Sequence, residues 1–248
     1  ILIEPQFPSA ASFSDGMACV QRGDQAGYTD RDGHFVAAPP QASQLGKFVG
    51  GRAAFRALSR IGVPAWGYLD KTGKIVVPAS LDHAGEFNEG LACAQQDDLF
   101  GFIDPDGNWA IEPRFTDAGD FREGLAVVGD SGHYGYCDRG GTVVIDYRFL
   151  RAGTFSEGLP PVGIGAKTGF IDREGRVVID PIFDTALSFS DGLAAVRVNH
   201  KWGFVDRAGR VVVEPIYESA ASFVDGVACV RRFAEPKPVV HTGSKKVI

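Results

Sequence analysis

No stretch of this sequence approaches the ~18 consecutive apolar residues that a membrane-crossing helix needs. The start also lacks a basic segment followed by an apolar one, the pattern of a secretory leader. It opens on Ile1 rather than Met, so the removal of a leader or further domain stays open. Methionine occurs once, and no Cys-x-x-Cys or Cys/His group has the spacing of a zinc site. No Ser/His/Asp set and no glycine-rich phosphate loop ahead of a helix stands out. Catalytic residues, metal ligands and cofactors are therefore expected to be none. Basic residues are short as well: 25 Lys and Arg against 31 Asp and Glu. A general nucleic-acid binder needs a basic stripe to neutralise phosphates, so that class is set aside.

Glycine, by contrast, is plentiful at 32 residues, and Val and Ile gather in short runs. Both features favour many strands joined by tight turns. The stretch Phe189–Ser222 recurs along the chain, and anchor phenylalanines stand at Phe13, Phe48, Phe87, Phe121, Phe155, Phe189 and Phe223. Their intervals are 35, 39, 34, 34, 34 and 34 residues. The opening segment, Ile1 to Phe13, matches Val211 to Phe223, so the chain begins in the last third of a repeat.

Each unit reads alike. An acid-glycine turn (Asp15-Gly16, Glu89-Gly90, Glu123-Gly124, Glu157-Gly158, Asp191-Gly192, Asp225-Gly226) leads into a short apolar strand a. Strand b starts at Gly27, Gly67, Gly101, Gly135, Gly169 or Gly203 and ends three residues later in an aspartate. A glycine always follows after three more residues. Aspartate can bond a backbone amide two residues on, and glycine supplies the left-handed position, so Asp-x-x-Gly signals a hairpin. Strand c ends at a proline in most units, with Asp146 in that place in the fourth, and a return segment leads to the next phenylalanine. A 34-residue period also suits paired-helix repeats, but glycine and proline are too frequent here for two helices per unit.

The fold expected is all-β: a propeller-like array of about seven short antiparallel blades in one domain, 1–248. Six blades or an open β-solenoid are the alternatives. The last blade would be completed by both termini, hiding exposed edges. Strand a is expected innermost, because its alanines (Ala18, Ala53, Ala92, Ala126, Ala194, Ala228) suit a crowded axis. Cys19, Cys93 and Cys229 share one slot and Cys137 replaces an aliphatic residue, as small apolar fillers would. Unpaired thiols favour a cytoplasmic setting over an oxidising one.

These residues resemble the bacterial WG-repeat family, whose units carry a Lys-Trp-Gly-(Tyr/Phe)-Ile-Asp core. Lys201-Trp202-Gly203-Phe204-Val205-Asp206 is the best match, with Trp66-Gly67-Tyr68-Leu69-Asp70 close behind. Ala26, Phe100, Tyr134 and Thr168 take the tryptophan slot elsewhere. The resemblance spans essentially the whole chain and implies a propeller-like repeat protein. It carries no common catalytic motif.

Departures from the repeat point to function. The second unit has Gly50 in the acidic slot, Arg52 where Leu or Met is expected, and a longer loop, Arg56 to Ala65. That loop sets Arg56 and Arg60 around Leu58 and Ile61, and binding commonly resides in loops on rigid scaffolds. The acidic turns, Glu89, Glu123, Glu157 and Asp191 among them, form a second candidate surface for a cation or a basic partner. Good turn chemistry also explains them, and is the favoured reading. The tryptophan slot offers either aromatic platforms or blade-to-blade packing. A non-enzymatic scaffold binding another protein is the first expectation. A small-ligand or carbohydrate-binding propeller is the alternative, and a hydrolase at the central channel a third.

Overall fold

The computed structural model describes residues 6–233 of the chain. Its regular structure starts from the Asp-x-x-Gly turns. Asp70 Oδ1 accepts the backbone N–H groups of Thr72 at 2.9 Å and Lys74 at 3.1 Å. Asp30, Asp104, Asp138, Asp172 and Asp206 each make the same pair of bonds. Six units among the described residues therefore turn from strand b to strand c by the same local device.

Strands β1 (Ser9–Ala10), β2 (Ala18–Arg22), β3 (Gln25–Thr29) and β4 (Phe35–Ala37) form the first sheet. The second holds β5 (Gln44–Val49), β6 (Arg52–Leu58), β7 (Pro64–Asp70) and β8 (Ile75–Leu81). Next come β9 (His83–Asn88), β10 (Leu91–Gln96), β11 (Leu99–Ile103) and β12 (Trp109–Phe115). The fourth sheet is β13 (Asp117–Arg122), β14 (Leu125–Asp130), β15 (His133–Asp138) and β16 (Val143–Phe149). The fifth is β17 (Arg151–Ala152), β18 (Pro161–Ile164), β19 (Lys167–Ile171) and β20 (Val177–Phe183). The sixth is β21 (Thr185–Ala186), β22 (Leu193–Val198), β23 (Lys201–Asp206) and β24 (Val211–Ala220), with β25 (Val230–Arg232) added. No helix occurs among the described residues. The architecture is the expected all-β array of blade-like sheets.

Strand a is not the innermost strand. The return segment is itself a strand, and each sheet runs return–a–b–c. Ala126 of strand a faces Phe121 of the return strand and Cys137 of strand b, so strand a is laddered on both sides. The return strands β5, β9 and β13 contact one another from sheet to sheet, which places them at the inner edge. The alanines have a different cause from the one expected. Phe48 faces Ala53, Phe87 faces Ala92 and Phe121 faces Ala126. A small residue there leaves room for the phenylalanine ring. That ring packs on an aromatic of the preceding sheet's strand b, as in Tyr28–Phe48, Tyr68–Phe87 and Phe102–Phe121, at 4.7, 5.1 and 4.7 Å between centroids. Tyr136–Phe155, Phe170–Phe189 and Phe204–Phe223 repeat the contact. The core is thus a series of clusters, each shared by two successive sheets.

Pro160 and Pro161 fit this order because β17 ladders only with Val162 and Gly163 beyond them. In strand c, Tyr147 rather than Asp146 occupies the place of Pro113 and Pro181. Phe115, Phe149 and Phe183 all pair with the residue before the strand-b glycine, and each lies two residues further on. The strand-b glycine is required by a close approach. A Cβ on Gly203 would collide with the carbonyl of Val213, and the same holds for Gly27, Gly67, Gly101, Gly135 and Gly169 against strand c. Strand c bulges there toward strand b. The glycine in the signature is a matter of packing.

At the far end, Ser219 and Ala220 pair with Arg231 and Val230, as Ser9 and Ala10 pair with Gln21 and Val20. These residues are the return strand and strand a of a seventh unit. At the near end, Phe13 is 43% exposed, whereas Phe48, Phe121 and Phe189 are 1% exposed. Phe13 has no described sheet before it. Whether the two termini complete the last blade concerns residues 1–5 and 234–248, outside the described residues.

Candidate functional site

The acidic turns lie at one end of the sheets, and their side chains tie one unit to the next. Glu89 Oε1 and Oε2 accept the backbone N–H groups of Glu123 at 2.6 Å and Gly124 at 2.9 Å. Asp15 accepts from Gly51, Glu123 from Gly158, Glu157 from Gly192 and Asp191 from Gly226. At four junctions the basic residue after the hairpin aspartate closes the tie. Lys71 Nζ lies 2.9 Å from Asp15 Oδ1, and Arg207 Nη1 lies 3.7 Å from Glu157 Oε2. Arg173 Nη1 donates to the Glu123 carbonyl at 2.8 Å, and Arg139 to that of Glu89. The Lys71 bond, followed by the Gly51 amide, holds the Asp15 carboxyl below its usual range. Glu89, Glu123, Glu157 and Asp191 are thus already engaged inside the chain.

The second unit breaks this pattern in a coordinated way. Gly50 removes the acid, and Pro105 removes the base that would have met it from the third unit. Arg52 takes over: its Nε donates to the Pro105 carbonyl at 2.7 Å, and its Nη2 lies 3.9 Å from Asp106 Oδ1. Arg52 joins two units. Sequence reasoning isolated it as unusual but had no signal for its partner, which lies 53 residues away.

The segment Arg56 to Ala65 is only partly a loop. Arg56 and Leu58 belong to β6, Pro64 and Ala65 to β7, and the ladder continues to the pair Leu58–Pro64. Elsewhere the a–b hairpin closes in two residues, such as Asp97-Asp98 and Asn199-His200, which take positive φ. His200 is thereby a turn residue. Here the extra residues lengthen the hairpin, and the turn is held by Ser59 N–H to Val63 O at 2.7 Å. The hairpin projects from the end opposite the acidic turns, since Arg52 at its base faces Asp70. Leu58, Ile61 and Val63 are 61, 85 and 54% exposed. A groove of about 530 Å³ runs beneath, lined by Arg60, Ile61, Val63, Ala79 and Asp82. Arg56 sits lower, opposite Trp66, with its Nε buried. Of the expected contact residues, Leu58, Arg60 and Ile61 share one exposed projection; Arg56 lies at its foot and Arg52 at the other end of the strand.

Between sheets on this same side, equivalent grooves recur. One of about 350 Å³ is lined by Ser9, Cys19, Ala26 and Leu45, another of about 360 Å³ by Asp117, Val127, Tyr134 and Ala152. Both include the tryptophan slot, here Ala26 and Tyr134. The Tyr134 hydroxyl donates to Asp117 Oδ2 at 2.9 Å.

Titratable groups elsewhere serve the packing. Burial pushes the Cys93 and Cys137 thiols up to about 12, as apolar fillers require. The hydroxyls of Tyr28, Tyr68 and Tyr136 donate to the carbonyls of Gly46, Gly85 and Gly153 in the next sheet at 2.8, 2.7 and 2.7 Å. Asp30, Asp32 and His34 come within 4.8 Å of one another. Their grouping follows from the hairpin turn, where His34 Nδ1 lies 2.9 Å from Asp30 Oδ2. Asp120 was not singled out by sequence. It is a partly buried carboxylate accepting from Asn88 Nδ2 at 3.0 Å, and burial raises its pKa.

The chain is similar in shape to several solved structures at low identity. An 11% identical likeness to Kluyveromyces lactis Hsv2p covers 81% of this chain and 74% of that one, with a TM-score of 0.46. An uncharacterized protein of Listeria monocytogenes EGD-e is 13% identical over 83% of this chain and 80% of its own, at 0.45. The extracellular domain of a hybrid two component system of B. thetaiotaomicron is 10% identical over 89% of this chain and 36% of its own, at 0.47. No curated protein matches in sequence. The WG containing repeat profile matches residues 1–25, 66–100, 100–130, 134–167, 169–202 and 202–232. With the repeated Trp-Gly slot, the sheets built around it and that coverage, the chain belongs to the WG-repeat family.

Proposed function

We propose that this chain is a non-enzymatic scaffold that holds another protein, with the β6–β7 hairpin as its contact. The observation that carries this reading is the projecting tip. Ile61 is 85% exposed beside Leu58 and Val63, and no other described unit extends its hairpin in this way. Apolar side chains held on a laddered hairpin lose little freedom on binding, which lowers the entropic cost of association. Arg60 beside them suits an acidic residue on the partner's rim. The acidic turns are the weaker candidate, because their carboxylates are spent on inter-unit bonds.

A second reading has its own support. The equivalent grooves lined by Ala26 and by Tyr134 suit a small ligand or carbohydrate bound more than once per chain. The two readings separate in one comparison of wild type with Leu58→Ser/Arg60→Glu/Ile61→Ser. These side chains are exposed, so the melting temperature should stay within about 1–2 °C. Loss of a protein partner that wild type captures supports the hairpin. Equal capture by both proteins ends that proposal. Saturable binding of several glycan copies by both would favour the grooves.

A further inference from the structure

We propose that the outer groove between the third and fourth sheets binds one neutral sugar ring of a glycan, with Asp130, Arg114 and Tyr147 as its contacts. The groove holds about 440 Å³ and is lined by Arg114 and Phe115 of β12, Asp130 of β14, Thr142, and Val143 and Tyr147 of β16. Two departures from the repeat meet there. Tyr147 stands where other units have Pro113, Pro181 and Pro215, each two residues before the strand-c residue that pairs ahead of the strand-b glycine. Asp130 closes strand a at the position that Gln96, Ile164 and Val198 hold elsewhere. The fold requires neither residue, since other sheets form without them.

The three side chains are held in place before any ligand arrives. The Arg114 guanidinium lies 4.9 Å from the Phe115 ring centroid, and its Nη2 donates to the Gly141 carbonyl of the fourth unit. An arginine fixed from two sides loses little freedom when its remaining N–H groups meet a ligand. Asp130 Oδ1 accepts from Ser131 Oγ at 3.0 Å, and Oδ2 meets no donor among the described residues. The Tyr147 ring is partly buried against the core cluster that contains Phe115. Burial raises its hydroxyl pKa, Asp130 adds to the rise and Arg114 opposes it, so both charges act at that hydroxyl.

An acceptor, a donor and an aromatic ring together select the ligand. A cation drawn to Asp130 would be repelled by Arg114, and an anion the reverse. Adjacent hydroxyls of a sugar avoid this conflict, because each can both donate and accept. One would donate to Asp130 while its neighbour accepts from Arg114. The C–H face of the sugar would lie on Tyr147, whose ring is apolar and whose tip is polar. The next groove along shows what the substitutions change. It holds about 430 Å³, and Arg148 repeats Arg114 there, 5.1 Å from the Phe149 centroid and bonded to the Gly175 carbonyl. Ile164 takes the position of Asp130, Pro181 that of Tyr147 and Arg176 that of Thr142. That groove keeps the donor without the acceptor or the ring, so one site per chain follows. It is distinct from the hairpin contact and from the repeated grooves at Ala26 and Tyr134, and rests on neither.

Calorimetric titration of the full chain with maltotriose, mannotriose, galactotriose and trigalacturonic acid tests this. At least one neutral trisaccharide should bind saturably, at one copy per chain and more tightly than trigalacturonic acid. Tyr147→Ala and Asp130→Val should each raise its Kd about tenfold or more. Arg148→Ala, in the neighbouring groove, should leave it unchanged. Asp130 is exposed, and Tyr147→Pro supplies the residue of three other units, which gives a second reading should alanine disturb the strand. No saturable binding of a neutral trisaccharide overturns the proposal, as does tighter binding of trigalacturonic acid. An affinity that either Asp130→Val or the Tyr147 variants leave unchanged also overturns it. Several copies bound per chain and kept by these variants would overturn it in favour of the repeated grooves.

Discussion

Arg52 Nε donates to the carbonyl of Pro105 at 2.7 Å, and this bond stands where other units pair an acidic turn with a basic hairpin residue. The acid and the base are both missing at this junction, as Gly50 and Pro105. One arginine from the unit that lost its acid now reaches the unit that lost its base. At the turn end, the second and third units are therefore tied by this one side chain. Arg52→Leu, although it restores the residue common in other units, should destabilise the protein by about 1–3 kcal/mol. Urea denaturation against wild type reads this directly.

Restoring the acid should fail. Gly50 has φ +61°, and a Cβ there would come within 2.9 Å of the Phe87 Cβ. Phe87 is buried against Tyr68, so it has nowhere to move. Gly50→Glu, the change the repeat pattern would recommend, should lower stability by about 1–3 kcal/mol. A rise in melting temperature would show that the turn has more room than this contact allows.

The strand-b glycine gives the sharpest contrast with its neighbours. Gly135→Ala should cost about 3 kcal/mol or more, because the new methyl meets the Ile145 carbonyl in the bulge. The exposed His133, two residues before it, should tolerate alanine within about 0.5 kcal/mol. Comparable losses at both positions would contradict the close approach of strand c.

Tyr68→Phe should cost about 1 kcal/mol, since the Gly85 carbonyl loses the hydroxyl that reaches it from the preceding sheet. The sequence permits the change, as Phe102, Phe170 and Phe204 stand in the same slot. A neutral outcome, measured by thermal unfolding, would mean that the carbonyl finds another donor.

The carboxylates respond to pH in opposite directions. Asp15 and Asp70 have pKa values below 3.8 because hydrogen bonds from Lys71 and Thr72 favour their charged forms. Their contribution is fully present above the unfolded value and is lost as pH falls through the lower folded one. Asp120 is the reverse. Burial raises its pKa, so ionisation opposes folding at pH values above the raised folded pKa. Asp120→Asn keeps an acceptor for Asn88 and should raise the melting temperature at pH 7. The gain should shrink as pH falls and the wild-type carboxyl takes up its proton. A gain that stays constant with pH would show that the charge is not its source.

Much of the fold was legible because its signals are local and repeated. The Asp70-to-Gly73 turn, the short Val and Ile runs and the recurring phenylalanine each act within a few residues, and six copies expose the rule. The return segment was misjudged because its short polar and small residues carry no strand pattern of their own. Residues such as Asp117 and Ala118 become a strand only by pairing with Gly129 and Val128. The projecting hairpin was legible as an insertion. Its ladder was not, since Leu58–Pro64 pairing continues a register that begins at Arg52–Asp70.

The sequence by itself determined the period, the strands a, b and c, the turns between them and the family. Turn geometry and alternation are short-range properties, so residues near in the chain suffice to specify them. Only the tertiary structure decided which strand lies inside, what the acidic turns bind and why Arg52 departs from the pattern. Those answers depend on residues 34 to 53 positions apart, from Glu89 reaching Glu123 to Arg52 reaching Pro105. Stacking one unit on the next creates such pairs.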